Sequence, residues 1–546
     1  MYGGIVERPD TPELRSLAVP SGPVPSLGSR LGSRLDSREP SLRPIEFAVV
    51  AASIVTGIVL RFWTRSHLWL DEALSVDIAR LPLGDIPSAL RHDGHPPLYY
   101  FLLHGWISVF GEGDTAVRSL SGVFSVLTLP LAWFAGRRVG GRITAWAFVA
   151  LLALSPFAIR YATETRMYSL VMLLVLAGYL LVANALERSS ALRLVGITLV
   201  AGTLLLSHYW ALWLIAASIL VLAWRARTTA NDDRRRTVRV LVAVVAGVLF
   251  LVPWLGVILD QSAHTGTPWA DPVRPTTLIT TTLQDFGGGD FAEGLLLGWS
   301  LAVLFAVGLV ARAIDDHCLE IDVRSTPLVR REAMVVGLTV AIATVAGFAT
   351  RTTFATRYAA VLFPLFLLIA AAGLTRFVGV RARGAIAVAL LGLGVVGGVH
   401  NAVTDRTQAG KAADAIRAGA QPGDVVVMCP DQLGPSVHRL LPAELGLVQL
   451  SYPTLDDPSL VDWRDYADRN AANDPAAIAD AVVARAAAAH SVWLVDDGGY
   501  KTFAGQCEAL ESELASALGP AELLVVNDGD EFFEHASLFR FPGPAS

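Results

Sequence analysis

About eleven stretches of the chain are long and apolar enough to be read as membrane spans, near 46–63, 116–136, 143–160, 167–186, 192–208, 209–225, 238–259, 293–313, 333–350, 357–376 and 384–401. Crossing a bilayer takes about 20 mostly apolar residues. Lipid leaves the backbone to satisfy its own hydrogen bonds, which favours helices. The pattern predicts a polytopic α-helical membrane protein of about 11 transmembrane helices. Its least defined boundary is "LLLSHYWALWLI", where little polar material marks a turn. Only 17% of residues are charged, against roughly 25% in soluble domains.

Residues 1–44 are rich in Pro, Ser, Gly and Arg and carry no apolar run. They are expected to be a disordered cytoplasmic tail, and without a short apolar core they do not read as a signal peptide. Arginine placement then orients the bundle. With the N-terminus inside, the cytoplasmic segments include "GRRVGGR", "ERSSALR", "WRARTTANDDRRRTVR", "ARAIDDHCLEIDVRSTPLVRRE" and "TRFVGVRARG", all arginine-rich, as the positive-inside rule requires. The first loop, 64–115, then lies outside, within a transmembrane domain at 45–401.

Beyond 401 the pattern changes. "GDVVVMCPD", "HSVWLVDDGG" and "AELLVVNDGD" read as short buried strands, with helix-like stretches between them, so 402–546 is expected to be an extracytoplasmic α/β domain. Cys429 and Cys507 fall there, either as a disulfide or as two buried thiols. With Cys318 they form no CxxC or Cys/His cluster.

The first outer loop concentrates the chemistry. "SHLWLDEALS" sets Asp71 and Glu72 at the membrane edge, where acids capping a helix are the plain alternative to a general base and its partner. "HDGHPPLYY" follows, with His92, Asp93, His95, Tyr99 and Tyr100. At the outer junction of the third and fourth spans, "SPFAIRYATETRMYSL" crowds Arg160, Tyr161, Glu164, Arg166 and Tyr168. Snorkelling and an aromatic belt account for such residues at many boundaries. Here they stand on the arginine-poor side, and guanidinium pairs suit a phosphate. "RTTFATRYAAVLFP" breaks the pattern in the same way with Arg351, Arg357 and Tyr358, and His208 is also outer. There is no Walker loop, GxGxxG, HExxH or GxSxG.

Taken in order, the early Asp-Glu, "HPPLYYFLLHGW", "RSLSGVFSV", "ETRMYSL" and the late "RYAAVLFP" resemble the GT-C glycosyltransferases over roughly residues 46–400. The likeness is to bacterial members akin to protein O-mannosyltransferases and to the aminoarabinose transferase that modifies lipid A. It implies an integral membrane enzyme that moves a mannose- or arabinose-like sugar from a polyprenyl-phosphate donor. The acceptor would be a hydroxyl of a cell-envelope glycan, lipoglycan or protein on the outer face of the plasma membrane.

By the same resemblance Asp71 is the catalytic base, with Glu72 beside it. Arg166 and Arg357, helped by Arg160, Tyr168 and Tyr358, hold the donor phosphate. His92, His95, Tyr99, Glu164 and His208 orient substrate. Some relatives place a divalent metal near this loop. Glu72, His92, Asp93 and His95 have ligand chemistry, but their spacing assigns no metal and no other cofactor is implied. The expected partners are donor, acceptor and bilayer, with no nucleic acid. The alternatives are a transporter or flippase of a lipid-linked sugar, or a non-catalytic assembly factor. The polar clusters gather at outer span ends rather than at the midplane, which favours the enzyme.

Overall fold

The computed structural model describes residues 42–265, 274–350, 354–486 and 490–543. Residues 1–41 of the expected tail, and Arg351, lie outside the described residues. Helix α1 (Pro44–Leu60) leads to three short helices of the first loop, α2 (Leu70–Arg80), α3 (Ile86–Asp93) and α4 (Leu98–Phe110). The bundle continues through α5 (Asp114–Ala153), α6 (Pro156–Ala162), α7 (Tyr168–Glu187), α8 (Ala191–Ser207), α9 (Ala211–Thr228), α10 (Asn231–Val248) and α11 (Leu255–His264). It is completed by α12 (Pro275–Gly287), α13 (Ala292–Val310), α14 (Arg330–Thr350), α15 (Phe363–Leu374) and α16 (Val380–Val403).

Seven helical segments among the described residues are long and apolar enough to cross a membrane, which makes this a multi-pass membrane protein. Four further apolar helices are shorter. Two expected runs share α5, whose backbone leaves the helix at Gly140 and Gly141. Gly141 has φ 76°, a conformation that costs other residues about 1–2 kcal/mol. The run expected at 357–376 becomes α-helical only at Phe363, because Pro364 sits in the first helical turn and is favoured there. The preceding residues Thr356–Val361 form a 3₁₀ turn instead. Between α8 and α9, His208, Tyr209 and Trp210 make the turn that the sequence left poorly marked.

A buried cation locks the ends of two helices. Arg61, 1% exposed, donates from Nη1 to the Gly57 and Ala153 carbonyls at 2.7 and 2.6 Å and from Nη2 to the Leu152 carbonyl at 2.7 Å. C-terminal helix carbonyls have no intrahelical partner, and this side chain supplies one.

A short hairpin, β1 (Ala311–Ala313) and β2 (Leu319–Ile321), follows α13. The C-terminal segment runs α17 (Ala409–Gly419), β3 (Val425–Cys429), α18 (Gly434–Leu440), β4 (Val448–Ser451), α19 (Tyr466–Ala471), α20 (Pro475–Arg485), β5 (Val492–Asp496), α21 (Gln506–Leu518), β6 (Glu522–Val525) and β7 (Ser537–Phe541). Its five strands order as β4-β3-β5-β7-β6. The first three are parallel, and β7 is antiparallel to both its neighbours.

Alternate residues of β3 face opposite sides. Val426 and Met428 pack with Ala413 and Ile416 of α17. Val425 and Val427 pack with Val482 of α20 and Leu510 of α21. That second cluster runs on into Leu70, Leu74 and Ile78 of α2, so the sheet and the first loop share one apolar core. A disulfide joins Cys429 to Cys507 across 78 residues, with Cα atoms 5.7 Å apart, while Cys318 is free and exposed.

Closing a loop of that length restricts the unfolded chain, and such bridges are worth about 2–4 kcal/mol. Replacing both cysteines by serine should lower the unfolding temperature of the C-terminal segment, read by limited proteolysis on heating. An unchanged cleavage midpoint would count against that contribution.

Candidate active site

Asp71 and Glu72 occupy the first turn of α2, where negative charge meets the positive end of the helix dipole. Successive helical residues point about 100° apart, so the two acids part company. Glu72 is fully buried. It accepts from Arg118 Nε and Nη2 at 2.7 and 2.5 Å and from the Thr165 amide at 2.8 Å, and Arg406 lies 3.7 Å away. Glu72, expected beside Asp71 at the reacting group, therefore does not line the cavity that Asp71 faces. Its oxygens are spent holding α5, the 163–167 turn and the C-terminal segment together.

Asp71 lines a cavity of about 570 Å³. Its Oδ2 has no hydrogen-bond partner among the described residues and lies 3.5 Å from Arg357 and 3.9 Å from Arg166. Arg166 is held from several sides. It donates to Ser75 Oγ at 3.0 Å and to the Asp71 carbonyl at 3.4 Å, and it meets His95 Nε2 at 2.8 Å. His95 Nδ1 is 2.8 Å from Asp93 Oδ2, which also accepts from the Tyr100 hydroxyl at 2.7 Å. Burial raises the Asp93 carboxyl, but His95, Arg166 and the Tyr100 hydrogen bond outweigh it and hold Asp93 below the usual range.

Seven of the described residues singled out in the sequence meet at the cavity: Asp71, Asp93, His95, Arg166, His208, Arg357 and Tyr358. The others do not line it. Arg160, expected at the phosphate, pairs with Asp285 of α12 at 3.5 Å. His92 turns away to Asp462 at 2.9 Å, and Tyr99 is buried against Ser121 at 3.0 Å. Glu164 accepts from the Trp69 indole at 3.2 Å, steadying a ring over which the Arg357 guanidinium lies 5.9 Å from the centroid. Tyr168 packs behind His208, ring centroids 5.7 Å apart. Of Glu72, His92, Asp93 and His95, named for their metal-ligand chemistry, only Asp93 and His95 meet; Glu72 turns to Arg118 and His92 to Asp462, so the four do not converge on one point. The described residues gather one trio of ligand-type side chains, Cys429, Asp496 and Cys507, and its two cysteines form the disulfide.

The opposite wall comes from the C-terminal segment and was not foreseen. Asp497, Lys501, Glu534 and His535 line it, with Gln432 and Trp463. Glu534 Oε2 accepts from the Leu70 amide at the start of α2 at 2.8 Å, and its other oxygen accepts from Ser436 Oγ. Burial pushes the Glu534 carboxyl up to about 7. Asp431 and Asp496, also buried, are likewise raised to about 7.

This arrangement of helices, first loop and C-terminal segment has the fold of the GT-C glycosyltransferases. A family model described as dolichyl-phosphate-mannose-protein mannosyltransferase matches residues 94–256. Among solved structures, ArnT from Cupriavidus metallidurans in the apo state is similar with TM-score 0.59 at 12% identity, over 90% of this chain and 97% of that one. The same protein bound to undecaprenyl phosphate is similar with TM-score 0.53 at 14% identity, over the same shares. No curated protein matches this chain in sequence.

Removing one partner of a buried ion pair costs about 3–5 kcal/mol. Glu72→Ala should therefore lower the unfolding temperature sharply, and Asp71→Asn, whose side chain reaches the cavity and accepts no hydrogen bond at Oδ2, should lower it much less. Equal thermal shifts for the two variants would refute the division of labour. A second expectation concerns pH. A carboxyl whose pKa is higher in the folded state binds its proton more tightly there than in the unfolded chain. Stability then falls as pH rises from the ordinary value, 4.5 for Glu534, through about 7. The unfolding temperature should decline over that interval, and Glu534→Gln, which stays neutral, should flatten the decline.

Proposed function

We propose that the chain is a polyprenyl-phosphate-sugar-dependent glycosyltransferase. In this reading it moves a mannose- or arabinose-like sugar to a hydroxyl of a cell-envelope glycan, lipoglycan or protein. The bundle sits in the plasma membrane with the N-terminus cytoplasmic, so that the cavity and the 402–546 domain face outward. The observation that carries the proposal is one carboxylate oxygen, Asp71 Oδ2, set beside two guanidinium groups on the wall of a cavity.

The acceptor oxygen attacks the anomeric carbon as its proton passes to Asp71. The bond from that carbon to the phosphate oxygen breaks on the opposite face, which inverts the centre. The leaving polyprenyl phosphate carries its charge away without needing a proton. Arg166 and Arg357 are preorganised to stabilise that charge. As the phosphate takes up their guanidinium groups, Asp71 is left to the acceptor hydroxyl.

A place for the lipid tail supports the same reading. An apolar cavity of about 420 Å³ among α12, α13, α14 and α15 shares Trp210 and Tyr358 with the polar one. A donor can thus set its phosphate at the arginines and its isoprenoid chain in this groove. The ArnT structure with undecaprenyl phosphate lends the donor class weight by analogy of fold.

The test is transfer by the purified chain from a panel of polyprenyl-phosphate sugars to membrane acceptors. Asp71→Asn should reduce turnover by about 10²–10⁴-fold. Arg357→Ala should reduce it by about 10²–10³-fold, with the substrates still bound. Equal transfer by Asp71→Asn would remove the assigned base. Movement of a lipid-linked sugar across liposomes without turnover of any donor would replace the enzyme by a transporter.

A further inference from the structure

A second cavity, of about 200 Å³, occupies the other end of the same helices. The active-site cavity lies at the starts of α7 and α9, beside Arg166 and Trp210, whereas this one reaches the far ends of both. Its lining runs from Leu174 to Leu186 on α7 and from Leu214 to Arg225 on α9. At 1.5 Å per residue those spans make a slot about 16–18 Å long. One leaflet of a bilayer offers about 15 Å of hydrocarbon, half of the roughly 30 Å core. The walls are aliphatic for most of that length, with Val175, Val182, Ile197, Val200 and Ile215 among them.

The mouth is cationic. Arg138, Arg225 and Arg331 line it, against one carboxylate, Glu332. Glu332 already accepts from the Tyr179 hydroxyl at 2.9 Å. Arg138 is committed to Asn184 Oδ1 at 3.1 Å, the Ala183 carbonyl at 3.0 Å and Glu187 at 2.5 Å. Arg225 uses Nε alone, toward Thr237 Oγ1 at 3.2 Å. Its terminal nitrogens, and the whole guanidinium of Arg331, have no hydrogen-bond or ion-pair partner among the described residues. Arginines that merely obey the positive-inside rule face water. These line the opening of an apolar slot whose depth fits one acyl chain, and two of them are left with donors to spare.

We infer that this slot holds one anionic phospholipid of the leaflet opposite the active site. Its phosphate diester lies between Arg225 and Arg331, and one acyl chain runs down between α7, α8 and α9. The site is separate from the donor groove and does not rest on the proposed transferase activity.

The test titrates phosphatidylglycerol, phosphatidylcholine and glycerol phosphate against the full-length chain in detergent, with occupancy read by native mass spectrometry. Phosphatidylglycerol should bind with a stoichiometry of one. Phosphatidylcholine and glycerol phosphate should each bind at least about tenfold more weakly, the first lacking net charge and the second lacking the chain. Arg331→Gln, at an exposed position, and Arg225→Gln/Arg331→Gln should weaken phosphatidylglycerol by a similar factor without changing the unfolding temperature in detergent alone. Equal binding of phosphatidylcholine would reduce the slot to apolar filling. Equal binding of glycerol phosphate would make it a free-anion site, and undiminished phosphatidylglycerol binding by the double variant would take the arginines out of it. Any of the three would overturn the proposal.

Discussion

A carboxylate shut away from water is tolerable only when cations and hydrogen-bond donors surround it, and Glu72 is such a group. Its hydrogen-bond donors and cations come from three directions: Arg118 on α5, the Thr165 amide before α7, and the ion-pairing Arg406 at the entrance to the C-terminal segment. Glu72 sits in the first turn of α2, so the network fixes the orientation of that helix. Asp71, one residue earlier, is thereby turned into the cavity. The unusual cost of burying Glu72 is what makes the neighbouring acid available, with one oxygen that accepts no hydrogen bond among the described residues.

Arg166 shows how the surrounding charges are kept in place. An arginine that could swing freely would lose much of its power to stabilise a facing charge through reorganisation. Here the sequence Tyr100, Asp93, His95, Arg166 forms an unbroken line of hydrogen bonds, and Ser75 on α2 closes it from the side. Each member lies within or against the first loop. The Pro96–Pro97 turn that starts α4 sets His95 and Tyr100 on the same side, whereas His92, three residues earlier on α3, faces outward to Asp462.

Much of this was legible because membranes make charge conspicuous. Apolar runs marked the bundle, and arginines on the sparse side marked 160–168 and 351–358 as unusual. What the sequence could not show was the partner of each charge. Arg160 and Arg166 stand in one short turn, yet the first is neutralised by Asp285 of α12 while the second lines the cavity. The same holds for Asp71 and Glu72, whose roles differ by a single step of helical rotation. Strands β3, β5 and β6 announced themselves as short apolar runs with acidic ends. Strand β7, "SLFRF", carries an arginine in its middle and gave no such signal.

The far wall of the cavity was the least legible, for a reason of chain distance. Glu534 reaches the Leu70 amide across 464 residues, and no local pattern near "FFEHASL" points to it. That contact also limits how separable the C-terminal segment is. Without it the first amides of α2 lose a buried acceptor, Glu72 loses Arg406, and the apolar face of α2 loses Val427 and Leu494. The helix bearing Asp71 is therefore positioned by the bundle on one side and by the sheet on the other. A substrate lying between Arg357 and Lys501 would touch both halves at once.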